Sequence, residues 1–399
     1  MLNQNSTIPL YEQVKEAIKL KIEQKEWKEN TRVPSETELM KIYEVSRVTV
    51  RNALALLVDE GYLIEKCYGA SSGGRKPMLY NLNKNLSLVL TVKVTVKGLV
   101  IGVLNLSGEI IYHKEVIKKI CNSTCLSESL SAEITEMRRL KPEIEHKITA
   151  VGYSIPGVLE YSRNRILYSA ALYIEDFDLK DLTDRVMGRE LDIYLFKDTD
   201  ALVLNEYYES GRNERNMLYL YCDSGVGMSV MNRGKLLRIE GCGLEIGHTT
   251  IDIHGESCKC SSVGCVGTLL GEAPAAERLA ELKGGQKQDV SGIGYREMIK
   301  MTEGGDPDAR KVLYEQMELL EIVIVNVVNL FNPGTVIVGG PLAKDRKAIE
   351  WLENGVKQKA LKPFTKKLNF QKAGQDENAA LFGMANYILD RDFFKTLSV

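Results

Sequence analysis

The sequence predicts an α/β protein in two parts, an N-terminal winged helix-turn-helix followed by a two-lobed α/β body. Three observations carry that expectation. In residues 32–66 two capped helical segments are separated by a three-residue turn, the spacing of a helix-turn-helix. From Leu86 onward short apolar strands alternate with helices and glycine turns, as in layered α/β domains. Within residues 243–265 stand His248, Cys258, Cys260 and Cys265, a full tetrahedral donor set for a metal ion.

At 399 residues the chain has room for two or three domains. Its 44% hydrophobic and 27% charged residues are ordinary for a globular protein in water. No stretch nears the roughly 18 apolar residues of a membrane span. The opening MLNQNSTIPLYEQ has no signal pattern, so a cytoplasmic protein without membrane contact is expected. Of the eight cysteines, Cys67, Cys121, Cys125, Cys222 and Cys242 are scattered outside the donor loop with no disulfide framework. Cys121 and Cys125 are near enough in sequence to pair, but are read as free thiols. A net charge of −2 does not announce a nucleic-acid partner, so any DNA binding must come from a local basic face.

The head reads clearly, element by element. Residues 10–26 form an amphipathic helix, with Val14, Ile18 and Ile22 on one side and Pro9 at its start. Ser35 and Glu38 make a capping box that opens a short helix to about Tyr43. Ser46 caps the next helix, whose Val50, Ala53, Leu54 and Leu57 must face the core, and Gly61 stops it. Its other face carries Arg47 and Arg51 one turn apart, beside Ser46 and Thr49. Like charges at that spacing cost a few tenths of a kcal/mol, ~0.2–0.5. A phosphate backbone or a guanine edge would repay them, so this helix is the expected DNA reader. Residues 62–67, a Gly/Ser tip at 69–74 and residues 78–82 read as a two-stranded wing.

In the body, LSLVLTV, GLVIGVLNL and SGEII read as three successive strands. KITAVGYSIPG is a buried strand ending at Pro156-Gly157, and DIYLFKD is another. MLYLYCDSGVGMSVMNRGKL is a strand, a glycine loop and a strand. Residues 315–330 form a helix apolar nearly all round, hence deeply buried; NPGTVIVGG is a strand, and ENAALFGMANYIL closes as a helix. No internal repeat of about 20–50 residues is evident. The expected boundaries are a DNA-binding domain at 1–70 and a linker at 71–85. Lobe 1 follows at 86–198, completed by 375–399, and lobe 2 with the metal loop at 199–374. One structural zinc ion per chain is expected, with His254 a rival to His248 as the fourth ligand.

IPLYEQ, VPSETEL, VSRVTVRNAL and EGYLIE give residues 8–65 a specific resemblance to the GntR-type winged helix. That resemblance implies contacts to operator DNA from Arg47, Arg51 and Thr49, with Ser35 and Ser46 completing the DNA-facing set. The family often has an arginine where this chain has Thr37, which removes one contact. SSGGRKP resembles the junction between head and body in ROK-type repressors. From about Leu86 the chain is similar to the ROK family of repressors and sugar kinases. EIGH followed by C-x-C-x4-C, then SGVG, NPGTVIVGG and SIPG, agree in order and spacing. The resemblance implies an actin-like, sugar-kinase fold and favours His248 over His254 as zinc ligand. Ser261 stands where the family has glycine.

The same resemblance tests for catalysis. The family's first phosphate cradle, D-x-G-G-T, falls on Lys93, Val94, Thr95, Val96 and Lys97, without the aspartate or the glycines. Kinase activity is therefore not expected, although Ser224-Gly225-Val226-Gly227 keeps the second cradle. The implied sugar pocket holds Pro156, Gly157, Lys197, Asp198, Glu245 and His248. Gly267 replaces a glutamate, and Ala170-Ala171-Leu172 lacks the usual polar contact. Lys197 favours an anionic compound, unless it pairs with Asp198 or Asp200. The expectation is a repressor, dimeric or tetrameric, that releases operator DNA on binding a sugar or sugar phosphate. The alternatives are a sugar kinase with a DNA-binding head and a constitutive DNA-binding protein with a vestigial pocket.

Overall fold

The computed structural model describes residues 7–26, 33–66, 78–239, 244–285, 292–343, 346–374 and 376–395. The expected wing tip, residues 71–77 of the expected linker, Cys67, Cys242 and Gly243 lie outside them.

The head has three helices, α1 (Leu10–Glu23), α2 (Glu36–Tyr43) and α3 (Arg47–Asp59), and a hairpin of β1 (Leu63–Lys66) and β2 (Leu79–Leu82). Its core is the set the periodicity picks out: Val14, Ile18, Val50, Ala53, Leu54 and Leu57 have no exposed surface. The Ser35 hydroxyl accepts the Glu38 N–H at 3.4 Å while the Glu38 carboxylate accepts the Ser35 N–H at 2.6 Å. Ser46 accepts the Thr49 N–H at 3.2 Å. Residues 79–82 of the expected linker are thus wing strand, pairing antiparallel with β1.

Lobe 1 contains β3 (Leu88–Thr95), β4 (Gly98–Leu104), β5 (Ile110–Val116), α4 (Ser123–Leu140) and β6 (Ile148–Ser154). A small side sheet follows, β7 (Val158–Glu160), β8 (Arg165–Ser169) and β9 (Ile174–Asp178), then α5 (Leu179–Met187), β10 (Asp192–Phe196) and α6 (Asp198–Glu209). Lobe 2 contains β11 (Met217–Cys222), β12 (Val226–Asn232), β13 (Lys235–Leu236), α7 (Pro307–Phe331), β14 (Thr335–Gly339), α8 (Arg346–Lys359) and β15 (Asn369–Lys372). The last helix is α9 (Ala379–Asp392).

The two main sheets repeat one topology. Lobe 1 runs β10-β6-β3-β4-β5 and lobe 2 runs β13-β12-β11-β14-β15, each an antiparallel three-strand meander extended by two parallel strands. No sequence repeat announces this, because it lies in connectivity. Helix α7 also differs from expectation. It begins at Pro307, and only one side is buried; Ile322 and Leu330 remain exposed.

Helices α6 and α9 form the layer between the lobes. Helix α6 packs on β11 and β12, α9 packs on β3, β4 and β6, and the two pack on each other. Gly383 makes the crossing close: a Cβ there would lie 2.0 Å from the Ala201 carbonyl oxygen. The apolar side chains around this pair come from both sheets, among them Val89, Leu104, Met217, Tyr219 and Ile337. The far end of α9 carries the head. Asp390, 1% exposed, ion-pairs with Lys25 after α1 at 3.1 Å and with Arg212 after α6. Phe393 stacks on Tyr62 of the head with centroids 6.2 Å apart.

Candidate functional site

Three sites assemble from these elements. On the head, Arg47 and Arg51 project from the exposed face of α3, as expected, but neither is unpaired. Arg51 donates through Nε to both Glu36 oxygens, at 2.9 and 3.1 Å, and Arg47 Nε lies 3.7 Å from the same carboxylate. Glu36 sits in the first turn of α2, where a carboxylate also favours the helix N-terminus. Its role is invisible to sequence reading, since it depends on how α2 crosses α3. The hydroxyls of Ser35 and Ser46 serve as helix caps, and Ser46 also shares a hydrogen bond with Thr49 at 2.9 Å. Thr37 is exposed beside Glu36.

In the loop, the side chains of His248, Cys258, Cys260 and Cys265 gather, with their ligand atoms all within 4.8 Å of one another. His254 is not in the group. A tetrahedron with metal–sulfur bonds of ~2.3 Å sets sulfurs ~3.8 Å apart; Cys260 and Cys265 are 3.6 Å apart. His248 Nδ1 lies 3.6 Å from the Cys258 sulfur, so Nδ1 faces the cluster and Nε2 is left outward. The donor set and its spacing fit a metal ion. Two short bridges, Thr250 with Cys265 and Ser257 with Val263, hold the loop. Ser261, the departure from the glycine pattern, has φ +72°, a left-handed conformation that costs a serine ~1 kcal/mol. The glycine preference at this position therefore has a backbone cause.

The cleft lies where parallel strands of lobe 1 end. Phe196 on β10 and Ser154 on β6 are in register, and Ile155 donates to the Phe196 carbonyl at 2.9 Å. Pro156-Gly157 and Lys197-Asp198 therefore leave the sheet together, at the carboxyl ends where α/β sheets bind ligands. Ser169 donates to the Pro156 carbonyl at 2.6 Å and accepts the Leu172 N–H at 3.3 Å, which ties the Ala170-Ala171-Leu172 turn to this loop. Gly157 has φ +140°, and a Cβ there would meet the Tyr168 carbonyl oxygen at 2.5 Å.

Lys197 joins the two lobes through its ammonium group. Its Nζ donates to Glu245 Oε1 at 2.8 Å, across the cleft, while its backbone N–H goes to Asp200 at 3.2 Å. Asp198 opens into the cleft but stands deep among protein atoms. That desolvation raises its carboxyl above the ordinary value, against the pull of the Thr199 N–H and the Lys197 charge. A second interlobe contact went unread in the sequence. Arg238, after β13, lies over the rings of Phe196, Tyr161 and Tyr387 at 4.8, 4.9 and 5.2 Å. It also donates to the Leu195 carbonyl at 2.9 Å.

The two phosphate-cradle positions differ in kind. At residues 93–97 β3 continues to Thr95, whose hydroxyl accepts the Lys97 N–H and donates to the Gly98 carbonyl, closing a tight hairpin. At 224–227 the glycine turn survives between β11 and β12, but Asp223 and Glu272 flank it, the Glu272 N–H donating to the Asp223 carbonyl at 3.0 Å. Burial and that carboxylate neighbour raise the Glu272 carboxyl.

Comparison with known proteins agrees with this geometry. The profile of the ROK family matches residues 89–391, and that of bacterial regulatory proteins of the gntR family matches residues 10–66. The chain is 27% identical over 320 residues to the xylose repressor of Caldicellulosiruptor bescii, covering 78% of this chain and 80% of that one. It is 24% identical over 364 residues to the xylose repressor of Bacillus subtilis, covering 89% and 91%. Against the dual regulator NagC of Escherichia coli it is 21% identical over 348 residues, covering 86% and 85%. In fold it is similar to a ROK family transcriptional regulator, a homologue of the E. coli MLC protein. The TM-score is 0.74, with 20% identity over 96% of this chain and 97% of that one. The ROK hexokinase from Thermus thermophilus superposes with a TM-score of 0.63 and 23% identity, over 76% of this chain and 99% of its own. The chain belongs to the ROK family and carries a gntR-type domain at its N-terminus.

Proposed function

We propose that the protein is a DNA-binding repressor that releases its operator when an uncharged sugar binds between the lobes. The observation that carries this reading is the Lys197–Glu245 pair. It spans the cleft at the position where the family's sugar pocket lies, and it satisfies the lysine from within. Sugar hydroxyls can bridge that existing ion pair, whereas a phosphate would have to displace Glu245 from the lysine. The names of the related xylose repressors point the same way. Asp198 and the outward Nε2 of His248 are the remaining polar contacts of the pocket, with Pro156 and Gly157 beside them.

The protein acts without phosphoryl transfer. Asp223 and Glu272 place negative charge against the surviving glycine turn, and the hairpin at 93–97 leaves no open loop for phosphates. One zinc ion, held by His248, Cys258, Cys260 and Cys265, keeps Glu245 and His248 in place. It would supply cohesion to a glycine-rich loop and no chemistry of its own. Arg47, Arg51 and Thr49 read the operator, with Ser35 and Ser46 fixing the helices that present them. The working species is a cytoplasmic homodimer; Ile322, Leu330 and Leu361 leave apolar surface on and beside α7, which supports self-association. Helices α6 and α9 form the route to DNA. One begins at Asp198 in the cleft, and the other carries Asp390 in its last turn, beneath the head.

A thermal-shift screen of uncharged sugars and their phosphates, followed by operator binding with each hit, tests the reading. Stabilisation and operator release by an uncharged sugar are expected, with no ATP consumption. Release by sugar phosphates alone would refute the uncharged effector, and sugar-dependent ATP turnover would refute the regulator without catalysis.

A further inference from the structure

One reactive pair lies outside the cleft and the cysteine loop. Cys121 ends the segment that follows β5, just after the buried Ile120, and Cys125 stands in the first turn of α4. Their sulfurs are 3.1 Å apart, within sulfur hydrogen-bond reach. Asn122 caps the helix by accepting the Cys125 N–H at 2.7 Å, which fixes that residue in the turn. An 18-residue helix directs its positive end at Cys125. Lys118 and Lys119 lie just before it; Lys118 reaches Glu128 at 3.4 Å. Cys121 is exposed and Cys125 half-buried, so both are open to small oxidants.

The arrangement distinguishes the two thiols. The hydrogen bond between them lowers the Cys125 thiol and raises that of Cys121. Cys125 is thus the better nucleophile, with a resolving partner already in contact. A structural metal is a poor alternative. Among the described residues only the His248 group brings three or more ligating side chains together.

We propose that Cys121 and Cys125 form a reversible dithiol–disulfide site that hydroperoxides oxidise. The Cys125 thiolate attacks the peroxide; an S–O bond forms, the O–O bond breaks and hydroxide leaves. Cys125 becomes a sulfenic acid as two electrons pass from sulfur to oxygen. The Cys121 sulfur then attacks Cys125; the S–S bond forms, the S–O bond breaks, and the thiol proton departs with the hydroxyl as water. Overall, two thiols and hydrogen peroxide give one disulfide and two waters. The segment so fastened is tied to lobe 1 at the β3–β4 turn. Ile120 donates its N–H to the Val96 carbonyl at 3.2 Å, in the β3–β4 turn at the first cradle position.

The test treats the zinc-loaded, full-length protein with hydrogen peroxide, followed by alkylation and peptide mapping. A 121–125 disulfide that dithiothreitol reverses is expected, while Cys258, Cys260 and Cys265 stay reduced. Cys121→Ser should stop at a Cys125 sulfenic acid that dimedone traps. Cys125→Ser should react at Cys121 at least about fivefold more slowly than wild-type Cys125. Circular dichroism checks that both variants are folded. A dithiol that stays reduced, or two cysteines that oxidise separately without a disulfide, overturns the proposal.

Discussion

Glu36 sets how much positive charge the exposed face of α3 offers. On the proposed reading, phosphates must draw Arg47 and Arg51 away from a carboxylate that already holds them. Glu36→Gln should tighten non-specific DNA binding by roughly three- to tenfold and steepen its salt dependence, since two guanidiniums are released. Titrations across a salt series check this; an unchanged slope would mean that the pairing is incidental. At Asp198 the direction of the shift gives a second expectation. Its folded-state value is raised by burial, so ionisation costs the folded protein more than the unfolded chain. That penalty is absent in acid and grows as pH rises past the unfolded carboxylate value. Asp198→Asn should therefore be more stable than wild type near pH 7 and equal to it near pH 3, measured by urea unfolding at both. The same variant should bind sugar more weakly. The exposed placement of Arg47 and Arg51 on α3 and the gathering of His248, Cys258, Cys260 and Cys265 were legible in the sequence. Their partners were not. Glu36, Glu245 and Arg238 act across gaps in the chain that no helical or strand period spans.

Local signals did well wherever an element is closed by its own residues. The head helices carry caps, stripes and stops within a few positions, and their cores match the periodicity. The strands β7, β8 and β9 were missed because they are only three to five residues long, too short for an alternating period to show. Helix α7 was read as buried all round because its apolar composition says nothing about which neighbours arrive. The joint between α9 and the head is likewise a matter of assembly. Asp390 is buried between Lys25 and Arg212, and removing its charge leaves two cations facing each other. Asp390→Asn should cost about 2–4 kcal/mol of stability, and operator affinity should become less responsive to sugar. Urea unfolding and operator titration with and without effector test both halves. A stable variant with full effector response would rule out this joint as the link.

As a whole, the body is two copies of one sheet plan closed around a pair of helices, with two charged contacts among the described residues spanning the gap. Lys197–Glu245 and the Arg238 ring contacts both tie the loop side of lobe 2 to lobe 1. Arg238→Ala should lower sugar affinity about tenfold, in keeping with ~1–2 kcal/mol for a partly desolvated cation on aromatic faces. Small-angle scattering should show a more open particle, and calorimetry the weaker binding; a variant with unchanged shape and affinity would remove the latch from the mechanism. The position of α9 has a consequence for synthesis. The inner face of the β3, β4 and β6 sheet is covered by residues 379–392, close to the C-terminus of this sequence. At ~5–20 residues per second, roughly a quarter of a minute to a minute separates the emergence of β4 from that of its cover. The head, made first, can fold in that interval while its seat beside Asp390 does not yet exist. Each new chain thus passes through a period as a DNA reader without a governor, and the ribosome's pace decides how long that period lasts.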